Sequence, residues 1–232
     1  MFERAIDYPC AITDQTDEGM EAALNWLLEQ KKDEEELTLW VPLKSTLGNN
    51  DFLIDLARYE GRGLRIIAKG EVRRANGPVL AMYPDVENLA YVTAAAGISA
   101  LAVVQWADQL ETWTQEVNAE VLHQLELDDD LPDYGEGPEP ELVAEVVEGL
   151  ERITRAINHN NTIAGTGYEK DVTVRTLLEL HDRGFRLPAK RMAEWAVAHG
   201  WQHDNPKELI NWVKKINRGT RPQTSRSYSP YR

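Results

Sequence analysis

The chain has 232 residues, 42% of them hydrophobic, and a formal charge of −14 from 39 acidic and 25 basic side chains. That is enough apolar material for one large or two small packed domains, which excludes a chain disordered throughout. A single cysteine, Cys10, excludes an intrachain disulfide, and the one uncharged run that reaches the ~18 residues of a membrane span, 88–107, is interrupted by Asn88, Gly97, Ser99 and Gln105.

The opening "MFERAIDYPC" carries charges and a proline where a signal peptide needs an apolar stretch. A soluble, cytoplasmic protein with no membrane partner is expected. A short strand is expected within 5–12. "DEGMEAALNWLLEQ" then places Met20, Ala23, Leu24, Leu27 and Leu28 on one helical stripe. "LTLWVPLK" reads as a buried strand, "DFLIDLARYEG" as a helix stopped at Gly61, and "LRIIAKG" and "PVLAMYP" as two further strands. "DVENLAYVTAAAG" is a helix with Asp85 as its cap, "SALAVVQW" a strand, and "DQLETWTQEVNAEVLHQL" a helix. Strand–helix alternation of this kind predicts an α/β layer architecture with helices on both faces of a sheet.

Only eight residues separate Lys69 from Pro78, and a parallel crossover needs about a dozen or more. The strands on either side are therefore an antiparallel hairpin or not sheet neighbours, and the expectation is a mixed, mostly parallel sheet. On that reading the loops after Leu43 and Ala68 share one rim. The loops after Met82 and Val104 share the other.

Residues 125–140, "LELDDDLPDYGEGPEP", are acidic and rich in Pro and Gly, as a solvated linker is. Beyond them a small all-helical module is expected over 141–219, followed by a mobile basic tail at 220–232. "PELVAEVVEGLERITRAIN" has a 3.6-residue period and is expected to pack back on the sheet. "NPKELINWVKKINRG" carries helix signals: Asn205 as cap, Pro206 in the first turn, Glu208 three residues after the cap and Gly219 at the end. "AEWAVAHGW" followed by "ELINWVKKINRG" resembles a small C-terminal helical module of uncharacterised bacterial proteins. The resemblance covers roughly the last quarter of the chain and implies no activity and no site residue.

Charge divides the two parts. Residues 1–140 sum to −18 and residues 141–232 to +4. The first half repels nucleic acid; the C-terminal end attracts it. Lys190, Arg191, Lys214, Lys215, Arg218 and Arg221 are the candidate contacts to nucleic acid or another partner. The short helices with glycine turns invite a helix-turn-helix reading. Trp195, Trp201 and Trp212 at helical positions read as core.

"VPLKSTLGNN", 41–50, sits where a phosphate loop would. A Walker-type loop needs glycines before its Lys-Ser/Thr, and here Gly48 follows them. A weaker anion or ligand pocket survives on paper, built from Lys44, Ser45, Thr46, Asn49 and Asn50 at a helix start with Lys69, Arg73 and Arg74 on the same rim. The plainer alternative is a polar loop with Asn49 or Asn50 as a cap. Asp85 and Asp108, beside Tyr83, Gln105 and Trp106, read as an acid pair or as two helix caps. Thr13, Asp14, Thr16 and Asp17 admit the same two readings, with capping the commoner role for such residues. His199 and His203 are four apart, but Gly200 and Pro206 argue against one continuous ligand face. No metal motif and no cofactor fingerprint is present, and none is expected to be bound. Two functions stand: a two-part binding protein with a protein, nucleic-acid or small anionic partner, or an enzyme acting on a phosphorylated or otherwise anionic small molecule at the Lys44, Lys69 and Arg73 rim, in the loops after the second and third strands.

Overall fold

The computed structural model describes residues 6–68, 74–106, 110–123, 139–157 and 162–224. Lys69, Arg73, Asp108, His159, nearly all of the expected linker and the tail from 225 lie outside them.

The first part alternates as the sequence indicates: β1 (Cys10–Thr13), α1 (Asp17–Gln30), β2 (Leu37–Val41), α2 (Asp51–Ala57), β3 (Leu64–Ala68), β4 (Arg74–Met82), α3 (Val86–Thr93), β5 (Ala96–Val104), α4 (Glu111–Glu116) and β6 (Glu120–His123). Local chemistry sets the helix starts. The side chains of Thr16, Asn50 and Asp85 each accept from the backbone N–H three residues on, at Gly19, Leu53 and Asn88. The six strands form one sheet in the order β3-β2-β4-β5-β1-β6.

Every strand pairing among the described residues is parallel, which corrects the expected mixed sheet. β3 and β4 are not neighbours, because β2 lies between them. The crossover minimum applies to parallel strands that pair directly, and the second alternative, strands that are not neighbours, is the one met. The Arg65 guanidinium of β3 donates to the Arg74 carbonyl at the start of β4 at 3.2 Å. A second correction concerns 108–125. The helix there ends at Glu116, Asn118 takes a positive φ of 51°, and the chain continues as β6, an edge strand paired with β1.

Alternation along the strands feeds two cores. Ala11, Leu39, Leu80, Ala102 and Val104 face α1 and α2, meeting Met20, Ala23, Leu27 and Leu53. Ile12, Trp40, Ala81, Leu101 and Val103 face the opposite layer, meeting Leu89 and Ala90 of α3 and Leu110 and Trp113 near α4. Leu28, expected on the buried stripe of α1, is instead half exposed. Cys10 lies in the second core, and burial pushes its thiol up to about 12, so the thiolate is scarce at neutral pH.

The C-terminal part contains α5 (Ala144–Ala156), α6 (Tyr168–Asp182), α7 (Ala189–Ala198) and α8 (Asn205–Asn217) around a core of Leu150, Ile153, Leu177, Leu180, Met192, Leu209, Val213 and Ile216. Gly149 lets α5 approach α6, since a Cβ there would press on Leu180. Asp204, not Asn205, precedes α8 as its cap residue, and Asn205 instead accepts from the Ile163 N–H. Ala193, Val197 and Ala198 of α7 insert into the second core of the sheet domain. The element that docks the module on the sheet is therefore α7 with part of α8, not α5 as expected.

Candidate functional site

The seam between the two parts is built from charge set into an apolar contact. α4 has no side-chain cap of its own. Glu194, buried on α7, supplies one: its Oε2 accepts from the Thr112 N–H at 2.8 Å and the Trp113 N–H at 3.2 Å. Burial is the main influence on this carboxyl and pushes it up to about 7, against the pull of those two donors and of Lys190 and Arg191. α7 is uncapped in the same way, and Glu139 accepts from the Lys190 and Arg191 N–H groups. The Arg191 guanidinium bonds the Glu139 carbonyl at 3.1 Å and the Glu111 carboxylate at 2.7 Å. At the far end of α7, His199 stacks on Trp195 and bonds Glu116 at 2.9 Å. Tyr91 donates to Asp204, and Lys207 donates to Glu87.

This geometry sorts the basic candidates. Lys190 and Arg191 are consumed by the seam. Arg221 makes a bidentate pair with Asp182, both contacts 2.7 Å. Lys215 lies over the Trp212 ring, 4.5 Å from its centroid, with Lys170 at 5.6 Å. Lys214 and Arg218 remain, and the turn after α6 brings Arg186 to them. These three line a groove of about 900 Å³ together with His181, Asn217 and Glu139. None of the three side chains has a hydrogen-bond or ion-pair partner among the described residues. Glu139, the acid in the lining, is already occupied by the α7 N–H groups.

Residues Met192 to Ala198 of α7 are all buried, so α7 presents no free face to a major groove, whereas α8 keeps Lys207, Lys214, Lys215 and Asn217 exposed. Trp195 and Trp201 are buried in the module core, as expected of them.

The sheet presents a second concentration of polar groups. With all strands parallel, the C-terminal ends of the six strands lie on one rim, which corrects the expected two-rim division. β2 leads away to one side and β4 to the other, so the crevice expected at a topological switch point falls between them. Asn50 and Tyr83 bridge it: Asn50 Nδ2 donates to the Tyr83 hydroxyl at 3.3 Å. Tyr83 holds a positive φ of 54° and meets the exposed Trp106 ring edge-on at 5.1 Å. Farther along, His123 Nδ1 lies 2.8 Å from the buried Asp14 carboxylate, and Thr16 donates to the same carboxylate. His123 and Glu194 had no sequence signal, because each gains its meaning from residues more than 80 positions away.

The proposed anion pocket is dispersed. Lys44 and Ser45 are exposed on a 3-10 turn (Lys44–Gly48), Thr46 is buried in it, and Asn50 is spent as the α2 cap. Asn49 is exposed. Arg74 starts β4 and lies at the opposite end of the sheet from Lys44, which follows the end of β2. Asp85 caps α3, and Thr16 caps α1. His203 contacts Tyr91 rather than His199.

A family model described as a domain of unknown function (DUF1889) matches residues 144–231, which is the helical module and the tail. No curated protein and no solved structure matches the chain.

Proposed function

We propose that the protein is a two-part binding protein: an acidic α/β domain held rigidly to a helical module whose basic groove engages an anionic partner. The observation that carries this reading is the set of three cations, Arg186, Lys214 and Arg218, whose side chains have no partner among the described residues and which surround one concavity. Arg191 at the α7 seam and Arg221 at the start of the tail are instead neutralised by carboxylates. Cations left without a carboxylate partner beside a groove, in a chain of net charge −14 with acids to spare, remain open to a counter-charge from a ligand. The test is a thermal-shift screen of the full chain with polyanions, among them an oligonucleotide, polyglutamate and inorganic polyphosphate. A ligand of the native state raises the melting temperature. At least one polyanion is expected to do so, and replacing the three cations with alanine is expected to abolish the shift. No shift with any of them would overturn the reading.

A second reading, an enzyme acting on an anionic small molecule, draws on the sheet rim. The Lys44 turn, Tyr83 and the Asp14–His123 pair share that rim, and a carboxylate-oriented imidazole is a standard proton acceptor. Nucleotides and sugar phosphates added to the same screen test it. A shift lost in His123→Ala but kept in the groove variant supports it.

A further inference from the structure

Resting on the reading of the groove as the partner site, we infer that its ligand is single-stranded nucleic acid, gripped by its phosphates without readout of the bases. Four observations lead there. First, the lining is polar: Arg186, Lys214, Arg218, Asn217 and His181 outnumber Phe185 and Ala189. Protein partners anchor on apolar pockets, and lysine is depleted at the centre of their interfaces, so this lining suits a polyanion bound by counterion release.

Second, the cations form a row. Lys214 and Arg218 are one turn apart on α8, a rise of about 6 Å, and Arg186 faces them from the turn before α7. The volume of about 900 Å³ exceeds what one phosphate needs and accommodates several linked units. Arg186 and Arg218 offer planar forks that match phosphate oxygens.

Third, charge disfavours a duplex, and α7 is buried and offers no face to a major groove. The attached first half of the chain carries −18 and repels most strongly the ligand of highest charge density, a duplex with one charge per ~1.7 Å of axis. Fourth, the aromatic rings near the groove are already covered. Arg183 lies 5.0 Å from the Phe185 ring centroid, and Lys215 and Lys170 cover Trp212. With no open ring beside the groove among the described residues on which to stack a base, preference among base sequences is expected to be small.

The experiment is fluorescence anisotropy on the full chain with a labelled single strand of about 12 nucleotides. Three further probes are a thymidine homopolymer of that length, the corresponding duplex and a polyglutamate peptide. Three phosphate contacts predict a slope of about −2 for log affinity against log salt, or a roughly 20-fold loss between about 50 and 200 mM salt. The mixed strand and the homopolymer are expected to bind within a few-fold of each other, and the duplex no more tightly. R186A/K214A/R218A, checked by circular dichroism, is expected to lose binding, and R186K/K214R/R218K to retain it. Tighter binding of duplex, or a slope unchanged by the triple alanine variant, would overturn the inference. Binding of polyglutamate with none of the single strand would overturn it too, while leaving the two-part binding reading intact. Binding of no polyanion ends both.

Discussion

Glu194→Gln is the perturbation that reads the seam most directly. The folded carboxyl sits at about 7, against an ordinary glutamate value of about 4.5. A pKa raised by folding means that the native state binds the proton more tightly than the unfolded chain. The resulting stability is fully present below pH 4.5, falls as pH rises towards 7, and is gone above it. Between pH 5 and 8 this one group withdraws about 2.5 kcal/mol. Glutamine keeps an oxygen that can accept from Thr112 and Trp113 N–H, but it carries no charge. The measurement is the urea midpoint of both proteins at pH 5, 6, 7 and 8. The other carboxylates titrate in both proteins, so the difference between the two isolates Glu194. Wild type is expected to lose about 2.5 kcal/mol relative to the variant over that range. Parallel pH profiles would refute the reasoning and mean that the two N–H donors and Arg191 fully compensate the burial of the charge.

Gly19→Ala is expected to destabilise by about 2 kcal/mol in urea, although alanine is the better helix former, because its Cβ would overlap Asp14 and Thr13 atoms, including the Asp14 backbone carbonyl; a neutral result would deny the close approach of α1 to β1. Asn50→Ala is expected to cost about 1–2 kcal/mol, since it removes the α2 cap and the donor to Tyr83. Asn50→Asp keeps the cap and should recover most of that loss in the same assay. Gly149→Ala is expected to stay within about 1 kcal/mol of wild type, because a helical gain offsets the displacement of the flexible Leu180 end; Gly149→Val should cost more, and equal midpoints would show that α5 and α6 have slack.

What the sequence disclosed follows the range of the interactions involved. Caps act over three residues, so Asp85 was legible as a helix start, Asn50 stood as one of a pair with Asn49 and Thr16 as one of four candidates, and the α1 span was read to the residue. β6 was not legible. Four residues, Glu120–His123, continue a helical-looking pattern, and only β1, more than 100 positions earlier, makes them a strand. The sheet direction was misjudged because the crossover-length rule holds for directly paired strands, and β2, which precedes both in the chain, lies between β3 and β4. The caps of α4 and α7 were invisible for the same reason. Glu194 and Glu139 lie 82 and 51 residues from the N–H groups they accept.

The charges show the limit of pattern reading most sharply. Lys190, Arg191, Lys214, Lys215, Arg218 and Arg221 are alike in sequence, and folding gives them different tasks. Two hold the α7 seam, one ties the start of the tail to α6, one covers a tryptophan, and two face open space with Arg186. A truncation at 214 would therefore be a poor test of anion binding. It removes Ile216 from the module core, and any loss of binding would report unfolding. Substitutions at the three unpaired cations leave Leu209, Val213 and Ile216 in place. They alter the groove while sparing the core that shapes it, so they can separate a recognition surface from a merely basic chain end.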